Sequence, residues 1–231
     1  MVAKRWRQPE RLAALRVASC TRYIPSLGLQ AKLSIPVNAS VLIAFAHGSG
    51  SSHLSPRNRS MARILNTHGM ATLLFDLLTP EEGADQENVF DIMLLSERLA
   101  AVLHWVRDEE ELVGLPVGLF STGTAAAAAL MVTARPNAGI FAVVSRGGRP
   151  DLAGESLNRI AVPVLLAVGG RDPAVLKLNE NALACLKGPR RLKVIADGGQ
   201  SLEEAGALED VAASAARWFK DYSPVKPPGS I

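Results

Sequence analysis

The sequence predicts an α/β protein: a mostly parallel, twisted sheet with helices on both faces and a hairpin at one edge. Two observations predict it. From residue 40 onward, short apolar runs alternate with segments of helical periodicity, the pattern of strands buried on both faces and linked by covering helices. Several of those runs end in glycine-bearing junctions that lead straight into a helix, and parallel sheets place their functional loops at such carboxyl ends.

The elements follow in order. Residues 19–24 and 30–35 read as a hairpin feeding one sheet edge. Residues 40–46 (SVLIAFA), 70–75 (MATLLF), 116–120, 139–145 (GIFAVVS), 163–168 (PVLLAV) and 191–196 read as strands. Helical spacing covers residues 57–68, 89–107, 124–134, 174–186 and 207–222, the longest carrying Ile92, Leu95, Leu99, Val102 and Val106 on one stripe. Trp105 and Trp218 fall on helix faces as packing residues. With no internal repeat and no linker, residues 1–231 are expected to form one domain. A basic arm (residues 1–17) precedes it and a loose Pro-rich tail (residues 223–231) ends it.

Composition narrows the function classes. The chain has 231 residues, 48% hydrophobic and 20% charged, as in ordinary globular proteins. Net charge is +3 with a pI near 9.1, and no dense basic stripe runs through the chain, so no nucleic-acid partner is expected. No apolar run reaches the roughly 18 residues of a membrane span, so no membrane partner is expected either. Cys20 and Cys185 stand alone, without metal-ligand spacing, which points to a reducing compartment. The expected location is cytoplasmic. The alternative is an organelle, if the basic N-terminus (Lys4, Arg5, Arg7, Arg11, Arg16 and Arg22 against the single acid Glu10) is a transit segment. His47 and His53 lack a third ligand at sensible spacing, so neither a metal nor another cofactor is expected.

Four strand ends carry the candidate chemistry. After the first buried strand, His47-Gly48-Ser49-Gly50 offers backbone N–H groups to an oxyanion; a plain glycine turn is the competing reading. In GLFSTGTAAAAAL (residues 118–130) a strand runs directly into an Ala-rich helix, where a nucleophile elbow would stand. The elbow needs small residues two before and two after its nucleophile. Gly123 meets that frame with Ser121 and Ala125. Ser121 does not, because Leu119 occupies the crowded position, and Thr124 would sit one residue late. Asp172, after PVLLAV, suits a triad acid or a helix N-cap. The last strand end, Asp197-Gly198-Gly199-Gln200, carries glutamine where a triad histidine belongs, and all four histidines precede the elbow. Arg146 and Arg149 flank two glycines. They could grip a carboxylate or phosphate, or pair with Asp151 or Asp76.

Together AHGSGSS, SPRNR, ATLLFDLLTPEE, SRGGRPDLA and VGGRD resemble the dienelactone-hydrolase-like branch of the α/β-hydrolases. The resemblance is to the small hydrolases associated with phosphoribosyltransferases, and it covers about residues 38–222. It implies the α/β-hydrolase fold. Laid on the family's elbow, the nucleophilic serine falls on Gly123. Its histidine falls on Gln200, and its acid on Asp172, which is retained. The resemblance thus implies a hydrolase fold without the Ser and His of the triad. The expected function is non-hydrolytic binding of a small molecule or protein partner through His47, Gly48, Ser49, Ser121, Thr122, Thr124 and Arg146. One alternative is an enzyme with a rewired site (esterase or lyase/cyclase-type) using Ser121, Thr122, Thr124, His47 and Asp172. A second alternative is a structural assembly subunit, and a homodimer is the assembly considered.

Overall fold

The computed structural model describes residues 17–47, 52–199, 202, 204 and 206–225. The N-terminal arm before Val17 and most of the tail lie outside these residues. Eight strands form one sheet: β1 (Val17–Ile24), β2 (Leu29–Pro36), β3 (Val41–His47), β4 (Met70–Asp76), β5 (Val117–Gly123), β6 (Ile140–Gly148), β7 (Val164–Gly169) and β8 (Arg190–Ile195). Their order is β1-β2-β4-β3-β5-β6-β7-β8. β1 and β2 form the antiparallel hairpin, β2 pairs antiparallel with β4, and all other neighbours are parallel. The fold class read from the sequence is therefore the fold observed.

Among the described residues seven α-helices accompany the sheet: α1 (Pro56–Thr67), α2 (Pro80–Gly83), α3 (Gln86–Phe90), α4 (Ile92–Asp108), α5 (Ala125–Thr133), α6 (Pro173–Cys185) and α7 (Ala207–Tyr222). The central strands are buried over most of their length, and alternate residues feed two cores. Leu42, Ala44 and Leu119 pack with Leu99 and Val102 of α4, the alanines of α5 and Ala182 of α6. Val41, Ile43, Phe45 and Phe120 pack with Met61 and Leu65 of α1 and with Val211, Ala215 and Phe219 of α7. Burial of this kind stabilises by about 25 cal/mol per Å² of apolar surface.

Three local features depart from the periodicity. The single helix expected over residues 89–107 is broken at Asp91, whose carboxylate accepts from the Leu94 N–H and caps α4. α2 is a single capping-box turn: Thr79 Oγ1 accepts from the Glu82 N–H while Glu82 Oε2 accepts from the Thr79 N–H. A tight 3-10 segment, Pro150–Arg159, kinks at Gly154 and follows β6 where no helix was expected.

One close approach matters for the site. A Cβ added at Gly169, the last residue of β7, would sit 2.2 Å from the Gly199 carbonyl oxygen and 2.4 Å from that of Gly198. Only glycine lets these two loops touch. Gly169→Ala should therefore lower the thermal midpoint by about 3–10 °C, the effect of roughly 1–3 kcal/mol of overpacking. Gly83→Ala is the control, since nothing lies closer than 4.0 Å to its added Cβ. Thermal unfolding of the two variants checks this, and a Gly169→Ala midpoint equal to wild type would refute the close packing.

Candidate functional site at the carboxyl edge

β5 ends at Gly123, and α5 starts two residues later. Gly123 has φ +57°, the left-handed region that glycine enters without strain. The turn is sharp enough to shift register against β6 between Thr122 and Gly123, and the Arg149 N–H donates to the Gly123 carbonyl at 3.0 Å. Among the described residues, a Cβ added at Gly123 would meet no atom within 4 Å. The elbow backbone is thus present, with open space where a nucleophile's side chain would project.

The hydroxyls around it are not equivalent. Consecutive strand residues face opposite sides of a sheet. Ser121, expected among the ligand-lining residues, is 0% exposed and donates to the Val144 carbonyl at 3.4 Å inside the sheet. It is a buried strand residue and is not offered to the elbow. Thr122 faces the other way and Thr124 occupies the N-cap position of α5 without a side-chain cap bond; both are nearly buried.

Asp172 caps α6: its Oδ1 accepts from the Val175 N–H at 3.0 Å. Its loop is tied to the exit of β8. The Gly170 N–H donates to Ile195 O at 2.8 Å and the Arg171 N–H to Gly198 O at 3.0 Å. Those bonds bring the Asp172 loop beside the segment leading to position 200. Gln200 itself lies outside the described residues, as do Gly48 and Ser49.

The strand register aligns a second group. His47 on β3 lies opposite Thr122 on β5, and Thr122 opposite Arg146 on β6. Asp76 on β4 is the other neighbour of His47. By strand alternation this row faces α1 and α7, below the Phe45 side of the core. His47 is 2% exposed, and neither ring nitrogen has a hydrogen-bond partner. Burial, then the Arg146 charge, then His53, push its pKa down to about 3. Arg146 is 6% exposed. Burial, then the nearby Arg57 charge, lower its pKa to about 10. The salt bridge expected for the two arginines forms only at Arg149, which holds Asp151 through two bonds of 2.9 and 2.8 Å. Arg146 pairs with neither Asp151 nor Asp76.

Asp76 is engaged elsewhere. Its Oδ1 accepts from the His53 backbone N–H at 2.7 Å and its Oδ2 lies 2.6 Å from His53 Nδ1. Sequence reasoning missed this pair. The available signal was an acid at the carboxyl end of the MATLLF strand; the obstacle was a 23-residue separation between a turn residue and a strand end. Among the described residues no group of three or more ligating side chains could hold a metal ion. A cavity of about 650 Å³ opens elsewhere, between the hairpin and α1, lined by Lys32, His53, Arg59 and Arg63 among others. Neither Gly123 nor Asp172 lines it.

No protein-family model matches the chain. It is 50% identical over 190 residues, 82% of its length, to the Mycobacterium tuberculosis strain H37Rv protein named "Putative phosphoribosyl transferase Rv0571c". The chain spans 43% of that relative's length. The crystal structure of a dienelactone hydrolase from Anabaena variabilis superposes with a TM-score of 0.84 at 42% identity, covering 90% of this chain and 98% of that one. Est1E from Butyrivibrio proteoclasticus shares the fold alone, with a TM-score of 0.73 at 14% identity over 88% of this chain and 98% of its own. A TM-score of 0.84 at 42% identity, over nearly the whole of both chains, leads to one conclusion: the chain belongs to the dienelactone-hydrolase family of α/β-hydrolases.

Proposed function

We propose that this family member binds a small-molecule ligand at the carboxyl edge of its sheet and does not hydrolyse it. The observation that carries the reading is Gly123: an elbow turn at φ +57° with open space around it and no hydroxyl at the nucleophile position. Ser121 does not substitute, because its Oγ is turned into the sheet. Asp172 is read as the surviving triad acid, now serving as a helix cap. Position 200 is read as the former base, where glutamine cannot shuttle a proton near neutral pH. Relative to the Mycobacterium tuberculosis protein, the chain is read as its hydrolase-fold part, and phosphoribosyl transfer is not assigned to it.

A rewired enzyme is the second reading, and one observation favours it. His53 is held by Asp76 through both its ring and its backbone, the way a general base is oriented. His47, by contrast, is a poor base at neutral pH, given a pKa near 3.

A fluorophosphonate probe separates the readings. We expect no labelling of the wild type under conditions that label an active serine hydrolase to completion. Stoichiometric labelling, lost on Ser121→Ala or Thr124→Ala, would overturn the non-hydrolytic reading in favour of the rewired one.

A further inference from the structure

We propose that the cavity between the edge hairpin and α1 is a second ligand site, shaped for a small organic phosphate with an aliphatic body. It is separate from the elbow and goes beyond the reading above.

The cavity arises from the way the hairpin is covered. Ser19 lies opposite Ser34 and Thr21 opposite Lys32, so alternation puts these four on one face. The other face carries Ala31 and Leu33, which are buried with residues of α4. The Ser19 face is exposed or half-buried instead. α1 packs mainly on β4, and between its flank and the hairpin lies a concavity of about 650 Å³. That is the size of an ordinary small-molecule site.

Charge selects the head of the ligand. Lys32 on β2 and Arg59 and Arg63 on α1 line the cavity, and among the described residues no carboxylate does. Arg59 and Arg63 are four residues apart and so share a face of α1. Among the described residues none of the three side chains makes a hydrogen bond or an ion pair. His53 also lines the cavity, and it holds the nearby acid, Asp76, to itself. A single exposed arginine needs no partner. Three unopposed cations around one concavity raise its potential and draw an anion into it. A phosphate dianion offsets more of that charge than a carboxylate does, and the hairpin hydroxyls can donate to its remaining oxygens.

The rest of the lining selects the body. Five aliphatic side chains contribute, Val17, Ala31, Leu54, Ala62 and Leu74, and among the described residues no aromatic ring except the His53 imidazole. Hydrocarbon fits such a wall, whereas a stacking ring finds no platform. The occupant nearest in the chain is the segment before Val17, which itself lines the cavity. Residues 1–16 carry five basic residues against Glu10. They repeat the sign of the cavity, and like charges repel.

Isothermal titration calorimetry on the full chain tests the site. The probes are hexyl phosphate, hexanoate, inorganic phosphate, 1-hexanol, hexaglutamate, and vesicles of phosphatidylcholine and phosphatidate. Hexyl phosphate should bind one per chain, at least about tenfold tighter than inorganic phosphate or 1-hexanol and about three- to tenfold tighter than hexanoate. Its affinity should fall as salt is raised. Arg59→Gln with Arg63→Gln should weaken it at least about tenfold and Lys32→Gln about threefold. Thr21→Trp, which fills the cavity, should weaken it about tenfold; if that variant does not fold, the glutamine variants decide. Wild-type affinity in the double glutamine variant would place the ligand elsewhere and overturn the site. Hexanoate or 1-hexanol binding as tightly as hexyl phosphate would overturn it too, as would silence of every probe. Binding of hexaglutamate or of the vesicles, with hexyl phosphate silent, would overturn it in favour of an acidic protein or a membrane. Gly123 and Asp172 do not line the cavity, so each of these failures leaves the reading of the elbow standing. Labelling by the fluorophosphonate probe would overturn that reading and leave this site untouched.

Discussion

Gly123→Ser combined with Gln200→His should convert the protein into a weak esterase, with p-nitrophenyl acetate turnover about 10- to 100-fold above wild type. Removing a whole triad costs about 10⁶-fold in a serine hydrolase, so this gain is a small fraction of what a trained site recovers. Three features favour it: the elbow turn is already bent, no described atom blocks a side chain there, and Asp172 sits on a loop bonded to the approach to position 200. Three features limit it. Asp172 Oδ1 is committed to capping α6. The oxyanion donors must come from the Thr124 N–H and the glycine loop after His47. Neighbouring side chains have no established reactive geometry. Neither single change should help, because serine without a base is a poor nucleophile and histidine without serine has nothing to activate. Steady-state kinetics of wild type, both singles and the double decide it. A folded double variant with the wild-type rate would show that the pocket has been reshaped beyond repair.

The second large effect is on stability against pH. His47 has a folded pKa of about 3 against an ordinary value of 6.5. The unfolded chain therefore takes up a proton on this residue that the folded chain refuses. Stability from His47 is full above about pH 6.5 and is lost as the pH falls towards 3, at about 1.4 kcal/mol per pH unit within that window. Between pH 6.5 and 4.5 the loss should be about 2 kcal/mol. Among the carboxylates Glu82 is strongly lowered: hydrogen bonding from Arg98 brings its pKa from 4.5 to about 2. Its own contribution is lost only below about pH 4.5, so the upper half of the window reports His47 alone. Urea unfolding at pH 6.5 and 4.5 should show the fall in wild type and most of it gone in His47→Gln. Identical slopes in the two proteins would refute the buried neutral imidazole.

How legible was this in the sequence? The fully buried strands were plain because SVLIAFA, MATLLF and PVLLAV are short, continuous and apolar, and a period-2 register error cannot hide in them. The β5–α5 elbow was plain because its small-residue frame is a steric requirement written locally. Arg149–Asp151 was foreseeable, being two residues apart. The break at Asp91 was not, because periodicity continues on both sides of it while a single carboxylate caps the second helix. His53–Asp76 and the row His47–Thr122–Arg146 were hidden for a different reason. The row is made by register between strands distant in sequence, which has no signature in any one of them, and the pair joins a turn after β3 to the end of β4, 23 residues on. Ser121 shows the converse: a serine at a functional strand end looks available until the alternation of faces turns it inward.

The left-handed turn at Gly123 has a consequence for how reversible such a site is. At φ +57° glycine is relaxed, whereas any residue with a Cβ is held there only at a cost of about 1–3 kcal/mol. An intact elbow bears that strain in exchange for a reactive hydroxyl. With glycine there, the turn keeps its shape without that steric strain. Every route back must begin with a less stable protein, before any rate has been gained. The position works as a ratchet on the energy surface of sequences: a change from any residue with a Cβ to glycine relieves the strained turn, and the reverse change restores the strain.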